Sequence, residues 1–507
     1  MSPHNLYARV AAIARALPGK TALAADSGER FTYAELHAAA GQYANALRNA
    51  GLARGDRIVA QLDKSPQSLW LYLACLRSGI VYVPLNTAYQ RAELEHFLGD
   101  ADPRLVVCRP QSAALFAELT AAAARCPVLT LDEQGAGSLA EQAEGASPEC
   151  DVIEAAADTL AVIIYTSGTT GRSKGAMLTH RNLSSNAAAL VSAWGFSERD
   201  VLLHALPMFH VHGLFVANHC ALTSGATLLW QRRFEAEAVA AALPQASVFM
   251  GVPTYYSRLL SMPELGRAQC AGLRLFVSGS APLLAETHRA FESRTGHRIL
   301  ERYGMSEAGM IASNPLEGER RPGSVGLPLP GVSVRVADEA DRPLPAGEIG
   351  GIQVRGDNVF AGYWRMPERT REEFSADGWF RTGDVGVFDG DGYLSIVGRA
   401  KDMIISGGYN VYPKEIEQAL DELPGVAESA VIGIPHPDFG EAVAAAVVAL
   451  PGVRLDPSAL IVALRSRLAN YKLPKRILVV DELPRNAMGK VQKAMLRDTL
   501  AGARRDD

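Results

Sequence analysis

The chain has 507 residues, with 48 % hydrophobic and 21 % charged side chains and a formal net charge of -5. That length exceeds what one hydrophobic core spans, so two or more domains are expected, and the composition is that of a soluble globular protein. No block of basic residues occurs, which argues against nucleic acid and anionic membrane as partners.

Residues 1–20 lack the apolar run of a secretory signal. Their Arg/Ala content and lack of early acids match an organellar transit segment, but residues 33–47 already read as folded domain and leave little room for one. Cys75, Cys108, Cys126, Cys150, Cys220 and Cys270 are scattered without a C-x-x-C pair and read as reduced thiols. The expected location is cytoplasmic, with mitochondria left open.

Residues 57–62 read as a strand, 68–78 as a helix stopped by Gly79, and 81–86 and 105–108 as further strands. Strand and helix alternating in short repeats argue for a parallel sheet covered by helices. Residues 111–157 are Ala-rich and acidic and read as surface helix and loop. Strands resume at 161–165, 226–230, 247–250 and 274–278, and residues 177–190 read as helix. The uncharged run 201–231 is the membrane suspect, but its four histidines, Pro207, Asn218, Gly213 and Gly225 favour buried strand and helix. Residues 320–398 change to short strands with turns, at 331–336, 350–355 and 392–397, which makes a small β-rich subdomain. Beyond a joint at 398–402, a compact α/β unit follows: strand 403–405, helix 413–420, strands 426–434 and 442–450, helix 457–468 and strand 476–480. The expected fold is α/β. A large N-terminal domain of doubly wound subdomains plus the β-rich piece covers 1–398, a hinge covers 399–402, and a small mobile domain covers 403–507.

Tyr165-Thr166-Ser167-Gly168-Thr169-Thr170-Gly171-Arg172-Ser173-Lys174-Gly175-Ala176 follows a buried strand directly. Its glycines let backbone N–H groups crowd an anion, its hydroxyls donate to phosphate oxygens, and Lys174 balances charge. This is a phosphate cradle, without the spacing of the common P-loop. In Ser278-Gly279-Ser280-Ala281-Pro282-Leu283 a strand end turns toward a helix, where ligands of open α/β sheets collect. In Glu301-Arg302-Tyr303-Gly304-Met305-Ser306-Glu307, Tyr303 can stack on a base, Ser306 can donate to a phosphate and Glu307 can hold Mg²⁺. Asp384, in Gly378-Trp379-Phe380-Arg381-Thr382-Gly383-Asp384, can accept ribose hydroxyls.

These motifs, with Gly398-Arg399, Lys401, Ser406-Gly407-Gly408 and Pro484-Arg485-Asn486-Ala487-Met488-Gly489-Lys490, resemble those of the adenylate-forming enzymes. That family comprises acyl-CoA synthetases, luciferases and peptide-synthetase adenylation domains. The motifs occur in family order over roughly residues 20–495, with Ser306 for the usual threonine. The resemblance implies ATP binding by Thr166, Ser167, Gly168, Thr169, Thr170, Gly171, Lys174, Ser280, Ala281, Glu301, Arg302, Tyr303, Gly304, Ser306, Asp384, Arg399 and Lys490. It assigns Mg²⁺ to Glu307 and Thr170, coenzyme A to Ser406, Gly407 and Gly408, and the hinge to Lys401. Lys490, His210 and Glu307 are the expected catalytic residues, with Lys490 stabilising charge between carboxylate and α-phosphate. In similar synthetases the terminal lysine is a target of reversible acylation, which makes a lysine acetyltransferase acting on Lys490 an expected partner. His210 and His212 form an H-x-H pair without a third zinc ligand at suitable spacing, so His210 is expected beside the reacting carboxylate and His212 in packing.

Arg302 departs from the small or neutral residue common before the motif tyrosine. A cation facing an acyl pocket needs a partner, and arginine forks bidentately onto a carboxylate. With His204-Ala205-Leu206-Pro207 and Gly251-Val252-Pro253-Thr254-Tyr255-Tyr256, its surroundings resemble the malonyl-CoA synthetase branch. The implied substrate is malonate, with methylmalonate as an analogue, and Arg302 and His210 as carboxylate ligands. An internal pair of Arg302 with Glu301 stays open. So do a ligase for another short acid and a stand-alone adenylation module.

Overall fold

The computed structural model describes residues 4–121, 126–166, 173–406, 409–436, 439–486 and 489–502. They form a large N-terminal domain of several sheets and a small C-terminal domain.

Two sheets carry the N-terminal domain. In the first, strands Val128–Thr130, Leu105–Cys108, Arg57–Gln61, Val81–Pro84 and Leu160–Thr166 run parallel, and Lys174–Thr179 closes the edge antiparallel. The second has nine strands with a parallel centre: Leu300–Met305, Leu275–Ser278, Val248–Gly251, Val201–His204, Thr227–Trp230 and Thr21–Ala25. Helices cover both, as the alternating pattern predicts. Helix Pro66–Ser78 shows the local logic: Ser65 caps it, proline starts it, and Gly79 stops it at φ 73°. Its Leu69, Leu71, Tyr72 and Leu76 are fully buried between the sheets. Helix Leu6–Ala16 buries Leu6 and Tyr7, so the stretch with a transit-like composition belongs to the folded body.

Two expectations need correction. The segment read as helix from Met177 is strand Lys174–Thr179 up to Thr179, paired in register with Leu160–Thr166, and helix His180–Ala193 begins only after it. Cross-strand pairing outweighs local propensity there. Thr179 then caps the helix by accepting from Asn182 N at 3.2 Å, a contribution of about 1 kcal/mol. Residues 111–157 are more than surface: Val128–Thr130 is a sheet edge, and Phe116 and Leu139 are fully buried.

The run 201–231 is strand, a π-helical turn His212–Ala217, helix Asn218–Ser224 and strand, all inside the second sheet's packing. Among the described residues no helix is long and apolar enough to cross a membrane. The β-rich piece is a four-stranded antiparallel sheet, Val332–Ala337, Gly350–Gly356, Phe380–Phe388 and Leu394–Arg399. Asp384 therefore sits within strand Phe380–Phe388. After a short turn at 400–402, the small domain packs Pro413–Asp421, Pro457–Leu464 and Lys493–Gly502 around strands led by Val426–His436 and Gly440–Ala449.

Candidate active site

The carboxyl ends of strands from three sheets meet at one cleft. Tyr303, buried on Leu300–Met305, donates its hydroxyl to Asp384 Oδ2. Arg399 Nε lies 2.7 Å from Asp384 Oδ1, and cross-strand register sets the two residues opposite each other. The Asp384 carboxylate is thus held from both sides.

Beside it, the buried Glu307 accepts from the Tyr363 hydroxyl at 3.1 Å and from Thr166 Oγ1 at 3.3 Å. Burial raises its pKa. Lys174 is also buried, with its ammonium 3.4 Å from Glu373 and 4.1 Å over the Tyr363 ring. Among the described residues Glu307 forms no ion pair, and a buried carboxylate held by neutral donors fits a hard divalent ion. The loop that both flanks lead to, with Ser167, Gly168, Thr169, Thr170 and Gly171, lies outside the described residues. Tyr363 and Glu373 carry no motif and were missed; only their place in space marks them.

The second half of the cleft is built around Arg302. It is 4 % exposed, and its Nε and Nη2 have no hydrogen-bond partner. Burial lowers its pKa to about 10, which still leaves it a cation near neutral pH. Glu301 does not pair with it. Alternation along the strand turns Glu301 the other way, where Oε1 accepts from Leu283 N at 3.3 Å. Burial raises Glu301 to about 7. The guanidinium lies against Gly279, where any Cβ would sit 2.4 Å from Cζ. His210 borders the same space. Burial, Arg302 and Lys490 pull its pKa down to about 4, so it is neutral. His212, expected in packing, is buried with Nδ1 3.4 Å from Ser280 Oγ, and burial followed by Arg302 depresses it strongly. Ser280 takes a left-handed φ of 73°, which turns the Ser278–Leu283 segment at this point. Ser306, Gly304 and Ala281 line the junction, half-exposed. Gly304 cannot carry a side chain, since its Cβ would be 2.4 Å from Gly309 O.

Lys490 reaches this cleft from the small domain. Its backbone is tied to Asn486: Asn486 N donates to Lys490 O at 2.9 Å, and Lys490 N to Asn486 Oδ1 at 3.0 Å. Gly489 turns at φ 74° and comes so close to Thr254 of the large domain that a Cβ would lie 3.3 Å from its hydroxyl. Part of the Lys490 side chain stays open to the cleft. Even so, the surrounding protein and then Arg399 hold its pKa at about 8. The small domain is thus turned with Lys490 toward Asp384 and Arg302. Ser406 is buried in a strand, and Gly407 and Gly408 lie outside the described residues. Lys401 is exposed in the connecting turn.

Residues 10–364 match the AMP-binding enzyme family and residues 415–490 its C-terminal domain. The chain belongs to the AMP-binding enzyme family. It is 39 % identical to sulfoacetate–CoA ligase of Cupriavidus necator over 500 residues, 97 % of each chain. It is 40 % identical to the mitochondrial malonate–CoA ligase ACSF3 of Bos taurus over 458 residues, 83 % of this chain and 77 % of the other. The structure of ATP-bound MatB from Rhodopseudomonas palustris superposes with a TM-score of 0.96 at 51 % identity, covering 98 % of this chain and 99 % of that one.

Proposed function

We propose that the protein ligates malonate to coenzyme A, with methylmalonate as an analogue. The observation that carries this reading is the buried Arg302 guanidinium with two unpartnered donors. A buried charge left unpaired is costly, and a substrate carboxylate relieves that cost. Malonate supplies one carboxylate for Arg302 while the other points toward Lys490 and the nucleotide. The relatives named for malonate and for sulfoacetate act on short acids with a second anionic group, which agrees with such a pocket.

In the first half-reaction a malonate oxygen attacks the α-phosphorus of ATP. The bond to the β-phosphate oxygen breaks, and malonyl-AMP and pyrophosphate form. Lys490 neutralises charge gathering between carboxylate and phosphate, and Asp384 and Tyr303 position the ribose and base. Glu307, with Thr170, would hold Mg²⁺, which screens the phosphates when bound. In the second half-reaction the thiolate of coenzyme A attacks the acyl carbon and AMP leaves. Ser406, Gly407 and Gly408 are assigned to the coenzyme A approach. They and Lys490 cannot occupy one place in one pose, so 403–507 rotates about Lys401 against 1–398. Acetylation of Lys490 by a lysine acetyltransferase would stop the first step by removing its charge. The reduced thiols fit a cytoplasmic enzyme.

The test is a panel of malonate, methylmalonate, sulfoacetate, acetate and propionate, assayed for AMP and for the CoA thioester. Malonate should lead. Equal use of acetate would sink the diacid reading, and a lead for sulfoacetate would keep the dianion pocket but change the acid. AMP without thioester would turn the protein into a stand-alone adenylation module.

A further inference from the structure

Lys64 lies outside every motif assigned to the nucleotide and is only 6 % exposed. It follows strand Arg57–Gln61 and precedes the cap of helix Pro66–Ser78. A lysine there would ordinarily reach solvent. Instead its Nζ packs 4.3 Å over the Trp230 ring and ends against His204, 2.7 Å from the backbone oxygen and 3.2 Å from Nδ1. Among the described residues no carboxylate forms an ion pair with it.

His204 is completely buried at the end of strand Val201–His204. Its hydrogen bonds dictate its tautomer. Leu206 N, which can only donate, points at Nδ1 from 3.3 Å, and the Lys64 amine donates there as well. Nδ1 is therefore the acceptor and the ring proton sits on Nε2. That proton is given to Gly213 O at 3.1 Å. Gly213 follows His212 in the first turn of the π-helix, and its own Cβ would lie 2.1 Å from Pro207 O. The segment between His204 and Gly213 is thus a loop pinned at both ends to one imidazole, and it carries His210 and His212 to the acyl pocket.

We propose that Lys64 is a positioning residue for the acyl pocket: together with Leu206 N it donates to His204, reinforcing the Nε2–H tautomer that clamps Gly213, and so holds His210 and His212 against Arg302. The inference rests on the reading of that pocket as the diacid site. Lys64 touches neither substrate nor nucleotide and needs no charge for the role, since amine and ammonium both donate.

The substrate panel comes first, so that a failure of the malonate reading is seen separately. With the best acid in hand, Lys64→Met keeps the packing on Trp230 and removes the donor. The KM for the acid should rise by about ten-fold while the KM for ATP stays within about two-fold. His204→Gln should cost a similar amount, and the double variant little more than either single one, because one clamp is lost in all three. Nitrogen-15 NMR of the unmutated enzyme, with the His204 signal assigned by its loss in His204→Gln, should give a neutral ring protonated on Nε2. A folded Lys64→Met enzyme with an unchanged acid KM, additive single effects, or a His204 ring protonated on Nδ1 would each overturn the proposal. A lowered melting temperature alone, with both KM values intact, would reduce Lys64 to a packing role and also defeat it.

Discussion

Arg302→Met removes the guanidinium while keeping most of the side chain's length. In the free enzyme Nε and Nη2 are buried donors without acceptors. Two charge-assisted hydrogen bonds to a substrate carboxylate, at about 1.5–3 kcal/mol each, sum to about 3–6 kcal/mol, or roughly two to four powers of ten in kcat/KM. The Met variant should lose malonate turnover by that factor and keep its ATP KM. The sign reverses for the unliganded fold, because the variant no longer buries an unpaired cation; it should melt at a higher temperature than the parent. Malonate should raise the melting temperature of the parent and leave the variant unmoved. Initial rates of AMP and thioester formation, with scanning calorimetry of both proteins with and without malonate, read all of this. Unchanged malonate kcat/KM in the variant, or a parent that is no more stable with malonate than without it, would refute the reasoning.

Three further outcomes follow from the geometry. Lys490→Ala should stop adenylation yet spare thioester formation from supplied malonyl-AMP. If the ammonium is the working form, as proposed, then with its pKa held at about 8 pyrophosphate release should fall as pH rises through that value. A pH profile that stays flat there would remove the lysine from the step. Gly279→Ala places a Cβ 2.4 Å from Arg302 Cζ, so the acid KM should rise without a change in ATP binding; equal losses for both substrates would mean a general collapse of the cleft. Lys401→Pro takes φ freedom from the connecting turn and should slow the thioester step more than adenylation, as single-turnover assays of each half-reaction would report.

Much of the fold was legible because its determinants are local. Apolar runs such as 105–108 and 275–278 can only be buried strands between helices, and Gly79 announces the end of its helix. Strand Lys174–Thr179 was not legible, since its partner, Leu160–Thr166, lies across the glycine loop and only pairing makes it extended. For the site, the motifs named Tyr303, Asp384, Glu307 and Lys490, and the fold brings them to one cleft. What sequence could not give is direction. Whether Arg302 meets Glu301 depends on strand alternation and on Leu283 N claiming the acid. Tyr363 and Lys64 have ordinary neighbours in the chain, and their surroundings come from segments far away in sequence: Glu307 for one, His204 and Trp230 for the other.

Arg399 ends the last strand of the β-rich sheet, and the connecting turn starts at the next residue. Its side chain is anchored to Asp384 at 2.7 Å. If the small domain turns about this joint, as proposed, its fulcrum is fastened to the residue proposed to face the ribose. A lever hung so close to its load moves that load very little, however far its outer end travels. On that proposal, as the Lys490 segment and the strand carrying Ser406 exchanged places, the nucleotide would remain a fixed landmark. One cleft can then be time-shared between two chemistries, and the reactive mixed anhydride never has to be handed on.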